Sequence, residues 1–155
     1  MPNILITGAN RGLGLAFAQH YARDGWRVYA TCRAPDAATD LAALAGPSFS
    51  IHALDVTSQT SIDALRQELA GLPLDVLLNN AGFLGPGPHG LNETNDDEWL
   101  QEFRVNTLAP LRMAEAFLGN VAASERKQIL NISSILASNE KAFGGYYPYR
   151  ATKAG

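Results

Sequence analysis

Three short motifs in this chain have residue types and spacings that could do chemistry. They are Thr7-Gly8-Ala9-Asn10-Arg11-Gly12-Leu13-Gly14, then Asn79-Asn80-Ala81-Gly82, then Tyr149-x-x-x-Lys153. In the first, an apolar strand pattern runs into glycines and then into a helical pattern. A pyrophosphate needs backbone N–H groups at close range and the positive end of a helix dipole, and glycine lets the backbone come that near. The spacing is G-x-x-x-G-x-G. A glycine-rich turn also serves as a plain tight turn, but here strand, turn and helix signals agree. In the third motif a phenol and an ammonium stand at i and i+4, on one face of a helix. A free phenol titrates near ~10, and a nearby cation favours its anion. A dinucleotide cradle beside such a proton donor is what moving a hydride to or from carbon requires.

Bland readings stand beside these. Tyr-x-x-x-Lys arises often by chance, and Tyr146, Tyr147 and Tyr149 form an aromatic cluster that could simply pack. The placement of the pair, after a strand pattern ending in Ser133-Ser134 and at a helix start, favours chemistry. Dinucleotide preference is legible in charge. An acid at the end of the second strand would bond the ribose 2′-hydroxyl of NAD, and an arginine there would accept the 2′-phosphate of NADP. That strand ends Thr31-Cys32-Arg33, with no acid. Arg11 lies in the glycine turn and could reach the same phosphate. Both arginines could be mere exposed loop residues, but together they favour NADP(H), with NAD(H) possible. Pro110 lies four residues after Asn106, so it has no N–H for that carbonyl. The result is either a simple kink or a free carbonyl inside a helix.

Positioning these groups takes an α/β domain. Short apolar runs alternate with amphipathic stretches, the pattern of βαβ units and a doubly wound, Rossmann-type parallel sheet. Expected strands span 3–7, 27–32, 50–54, 75–79 and 128–133, in spatial order 3-2-1-4-5. Their nearly continuous apolar character suits strands covered on both faces. Expected helices span 13–24, 37–45, 60–70 and a long stretch 96–122. Gly25 and Gly71 stand as helix stops, and Thr94 and Asp97 as a capping pair. Residues 82–90, with four glycines and two prolines, read as a loop over the cofactor end.

Bulk properties set the outer bounds. The 155 residues make a single domain over 1–155, with ordinary globular composition at 46% hydrophobic and 17% charged. A net charge of -3 offers no basic surface for nucleic acid, and no apolar run is long enough for a membrane helix. The apolar segment 4–7 is too short for a signal-peptide core and runs straight into the glycine motif, and the lone Cys32 excludes an internal disulfide, so a cytoplasmic setting is expected. Cys32 beside Arg33 is either a somewhat acidic thiol or, more in keeping with a lone cysteine, a buried structural one. His20, His52 and His89 lack metal-ligand spacing and are expected at the surface or in packing, and no metal is expected. Glu93, Asp96, Asp97 and Glu98 read as acids at a helix N-terminus.

Taken together, these residues resemble the short-chain dehydrogenase/reductase family over essentially the whole chain. The stretches Leu5-Ile6-Thr7-Gly8-Ala9-Asn10-Arg11-Gly12-Leu13-Gly14 and Gly144-Gly145-Tyr146-Tyr147-x-Tyr149-Arg150-Ala151-x-Lys153 look most like its C-factor and sniffer-type carbonyl reductases. The resemblance implies a cofactor site of Thr7, Gly8, Asn10, Arg11, Gly12, Leu13, Gly14, Arg33, Asp55, Val56, Asn80, Ala81 and Gly82, together with Tyr149 and Lys153. It implies a relay of Asn106, Ser134, Tyr149 and Lys153, in which the Asn106 carbonyl holds a water linked to the lysine and Lys153 also bonds the nicotinamide ribose. The implied substrate is a small carbonyl compound or alcohol, and intact relatives are expected to form homo-oligomers. Fifteen positions separate Ser134 from Tyr149, which keeps Ser133 in contention. The family continues past this lysine, so a C-terminally truncated chain is expected, lacking the last strand or strands. Weak nucleotide binding, little turnover and an exposed apolar edge at 128–133 are expected of it. The other reading is a non-catalytic dinucleotide-binding or interaction module.

Overall fold

The computed structural model of the chain describes residues 1–155 apart from 88, 89, 91, 142 and 143. Five parallel strands form one sheet in the order β3-β2-β1-β4-β5. They are β1 Asn3–Ile6, β2 Arg27–Cys32, β3 Phe49–Ala53, β4 Val76–Asn79 and β5 Gln128–Asn131. Alternation along β1 divides the core. Ile4 and Ile6 face a layer with Val28, Ala30, Ala18 and Leu41, while Leu5 faces one with Leu77, Leu65, Met113 and Phe117. Each large side chain buried this way contributes about 1.5–3 kcal/mol. Helices must therefore cover both faces. They are α1 Gly12–Arg23, α2 Thr39–Ala42, α3 Gln59–Glu68, α4 Asp96–Phe103, α5 Ala109–Ala122 and α6 Tyr147–Ala154. The expected strand order and parallel sheet are both present.

Three expectations are corrected. The helix expected over 37–45 is broken into a 3-10 turn, Pro35–Ala37, and the single turn of α2. Pro35 can start a turn but not continue one, and Ala38 between the pieces is non-helical at φ -90, ψ 65. The capping pair of Thr94 and Asp97 is replaced by Asn95, whose Oδ1 accepts from the N–H groups of Asp97 (2.9 Å) and Glu98 (3.3 Å). The long helix over 96–122 is interrupted by a π-helical segment, Arg104–Leu108, in which the Ala109 N–H reaches back to the Arg104 carbonyl. The exposed apolar edge expected at 128–133 is present in β5, where Leu130 is 42% exposed at the sheet edge. The acids Asp96, Asp97 and Glu98 do occupy the first turn of α4. His89 and part of the expected loop 82–90 lie outside the described residues.

Candidate active site

The glycine turn is built against β4. Thr7, only 1% exposed, accepts at Oγ1 from the N–H groups of Asn80 (3.0 Å) and Ala81 (2.9 Å). The Asn80 amide returns two bonds, Nδ2 donating to the carbonyls of Thr7 (2.9 Å) and Gly8 (3.1 Å). The first two motifs are thereby one hydrogen-bonded unit. Gly8 has φ +65, and a Cβ there would stand 2.9 Å from Ala81 Cα. A Cβ on Gly14 would stand 2.2 Å from the Gly8 carbonyl oxygen and 2.5 Å from Asn80 Nδ2. Gly12 is the open side of the turn, with nothing within 4 Å of its would-be Cβ. At this mouth Asn10 and Arg11 are exposed, and so is Leu13 at 63%.

The α1 N-terminus presents unneutralised positive character. Its N-cap, Arg11, makes no side-chain capping bond, and no acid lies in the first turn. Amides in that state fit an anionic pyrophosphate. Next to it, Arg33 stands exposed at the end of β2, near enough to Asp55 to act on its charge. Asp55 is held below the usual carboxylate range, chiefly by the Thr57 hydroxyl (2.7 Å), then by the Thr57 N–H (2.9 Å), with Arg33 adding a smaller pull against the raising effect of burial. Asp55 and Val56 lie just past β3, after Leu54, at the carboxyl end of that strand. Cys32 is buried and its thiol is pushed up by desolvation, so the buried structural reading holds over the acidic one.

Asn106 sits in the π segment, nearly buried, and its amide joins three pieces of chain. Oδ1 accepts from the Phe83 N–H (2.9 Å), while Nδ2 donates to the Phe83 carbonyl (2.8 Å) and to Thr152 Oγ1 (3.1 Å). Its side chain therefore clamps the loop after β4 to α6. Thr107 adds a second clamp, its hydroxyl donating to the Thr152 carbonyl at 2.7 Å. Pro110, second residue of α5, gives no N–H to the Asn106 carbonyl four residues back.

α6 carries the phenol and the ammonium. Two successive positive-φ residues, Gly145 and Tyr146, turn the chain into it, and Pro148 sits in its first turn. Lys153 Nζ donates to the Ile132 carbonyl just past β5 at 2.8 Å and lies 5.9 Å from the centre of the Tyr149 ring. A Cβ on Gly82 would come within 3.4 Å of the same ammonium. Burial pushes the Lys153 ammonium below the ordinary lysine range. The two serines diverge. Ser133 donates its hydroxyl to the Lys153 carbonyl (3.0 Å), whereas Ser134 accepts from the Leu136 N–H (3.1 Å) as cap of a 3-10 turn.

Two residues escaped the sequence reading. Thr152, 1% exposed, is the hinge between Asn106 and Tyr149, its hydroxyl donating to the Tyr149 carbonyl at 3.1 Å. Its position three after Tyr149 was the available signal. Glu102, also nearly buried, accepts from the Gly85 N–H at 2.8 Å and so anchors the loop after Gly82. It lies four residues before Asn106, on the same side of the helix. Asn79 ties β4 to β5 through Asn131 (2.9 Å), and its buried Oδ1 has no hydrogen-bond partner among the described residues.

Glycine turn, amide clamps and the phenol–ammonium pair all meet past the carboxyl ends of parallel strands, where open α/β sheets bind ligands. Residues 2–155 match the family model described as short chain dehydrogenase. The chain belongs to that family. It is 37% identical over 153 residues to a sorbitol dehydrogenase of Cereibacter sphaeroides, aligning 97% of this chain with 58% of that protein. With a serine 3-dehydrogenase of Rhizobium radiobacter it shares 35% identity over 153 residues, 94% of this chain and 55% of the relative. The chain thus spans less than two thirds of the length of these curated relatives. Among solved structures, an NADP complex of a carbonyl reductase from Pseudomonas aeruginosa PAO1 superposes with a TM-score of 0.90 at 31% identity, covering 99% of this chain and 71% of that one. An NADPH-bound carbonyl reductase from chicken fatty liver gives 0.88 at 34% identity, covering 99% and 69%.

Proposed function

We propose that this chain carries the dinucleotide-binding and proton-donating machinery of an NADP(H)-dependent oxidoreductase that reduces a carbonyl compound or oxidises the matching alcohol. The observation that carries this reading is the Lys153 ammonium lying near both the Tyr149 ring and Gly82, next in sequence to the Ala81 that packs on Gly8 of the glycine turn. The uncapped α1 N-terminus, Gly12 and Asn10 would hold the pyrophosphate, Arg11 and Arg33 the 2′-phosphate, and Asp55 and Val56 the adenine end. The nicotinamide, when bound, supplies or accepts the hydride.

The chain's own residues handle the proton. Tyr149 gives its phenolic proton to the substrate oxygen as negative charge develops there. The Lys153 ammonium, beside the Tyr149 ring, stabilises the charge left on the phenol oxygen. Ser134 orients the substrate oxygen by donating its hydroxyl hydrogen. It is favoured over Ser133 because Ser133 spends its own on the Lys153 carbonyl. Asn106 acts through position: its side chain sets the spacing of α6 from the loop after β4, and its carbonyl, opposite Pro110, is the place for a water leading to Lys153. Dinucleotide binding is measured on this chain, and turnover on the longest natural polypeptide that contains it. The reading expects tighter binding of NADPH than NADH and NADPH consumption with a carbonyl substrate. Binding without any turnover in that polypeptide would instead favour a non-catalytic module.

A further inference from the structure

A second constellation lies outside the dinucleotide site, on edge strand β3. Ser50 and His52, two residues apart, share one face of the strand. Ser50 Oγ is 2.7 Å from His52 Nε2, and His52 Nδ1 is 2.9 Å from Oε1 of Glu68, the last residue of α3. An ionised carboxylate only accepts, so Nδ1 carries the proton and Nε2 is left to accept from the serine hydroxyl. The imidazole is held in place by its 9% side-chain exposure and by the Tyr29 ring, 5.9 Å away. Glu68 remains 58% exposed, so the group opens to solvent.

The backbone adds a donor. Ser48 accepts at its carbonyl from the Val28 N–H, and the Leu54 N–H donates to the Cys32 carbonyl. Even-numbered residues of β3 therefore turn their backbone groups toward β2. The N–H of Ile51 then points off the open edge. It belongs to the residue after Ser50, the place from which an oxyanion donor serves a serine nucleophile in other folds.

We infer that Ser50 is a nucleophile that accepts acyl groups from activated esters, with His52 as its base and Glu68 as the group that orients the base. Ser50 Oγ bonds to the ester carbonyl carbon while its proton passes to His52 Nε2, and the Ile51 N–H faces the oxygen that gains charge. The bond to the leaving alcohol then breaks, and that alcohol takes the proton from His52. The product is an acyl-Ser50 ester and free alcohol, and water later releases the acid.

The test treats the chain with 4-nitrophenyl acetate and locates acetyl groups by peptide mass spectrometry. Ser50 should acquire acetyl at least ~10²-fold faster than Ser48, which precedes it on the same edge without a histidine partner. His52→Gln should remove that advantage and Glu68→Gln should reduce it, while NADPH binding and thermal unfolding report that the fold is intact. Glu68 is exposed enough that its variant should fold even if the His52 variant does not. Acetylation of Ser50 no faster than Ser48, or unchanged in Glu68→Gln and in a folded His52→Gln, would make the three residues a structural bracket only and overturn the inference.

Discussion

At the scale of single residues, Lys153 joins two roles: it donates to the Ile132 carbonyl and places its charge beside the Tyr149 ring. Because burial lowers its folded pKa, the unfolded chain binds more protons between that lowered value and the ordinary one of 10.5. Lys153 thus makes the native state gain stability as pH rises through that window, with no pH-dependent contribution below it. Turnover should move the other way. It should fall on the alkaline side below the ordinary lysine range, as the stabilising ammonium is lost, and a pH–rate profile reads this directly. Tyr149→Phe should lower turnover by ~10²-fold or more with dinucleotide affinity nearly unchanged. Substantial retained activity would remove Tyr149 from its role. Spacing made Tyr149 and Lys153 legible in the sequence. In the sequence, the preference for Ser134 over Ser133 rests on the resemblance alone; the bond from Ser133 to the Lys153 carbonyl, which supports that preference, spans 20 positions and has no local signature.

At the scale of elements, the π segment Arg104–Leu108 is where sequence reading came closest and still fell short. Pro110 announced a missing donor, but a kink, a gap and a π turn all satisfy that signal. The three bonds that pull Asn106 toward Phe83 and Thr152 come from residues 23 and 46 positions away, beyond any local pattern. Asn106→Ala should destabilise the fold by about 1–3 kcal/mol, since it strands buried polar groups at both ends. A urea midpoint unchanged from the parent would contradict the clamp. Gly14→Ala is a sharper case, because its Cβ would fall 2.2 Å from backbone. It should lose dinucleotide binding and lower the unfolding temperature together. The helix expected over 37–45 failed for the opposite reason, since alanine-rich composition suggested more helix than Pro35 and the non-helical Ala38 permit.

For the whole molecule, parallel order and both covering layers were legible because β1, β2 and β4 read as continuous apolar runs. Exposure of β5 was expected from comparison with longer relatives rather than from its own residues, which are apolar at Ile129 and Leu130. Its half-exposed pattern predicts faster amide hydrogen exchange in β5 than in β1 and β4. Equal protection across the sheet would mean that the edge is covered in solution. The central proposal, a cradle that selects NADPH through Arg11 and Arg33, is tested most directly by fluorescence titration of the chain with NADPH and with NADH, repeated on Arg33→Ala. Tighter binding of NADPH, with Arg33→Ala weakening it roughly tenfold and leaving NADH nearly unchanged, is the predicted result. Equal losses for both dinucleotides, or no preference in the parent chain, would contradict it.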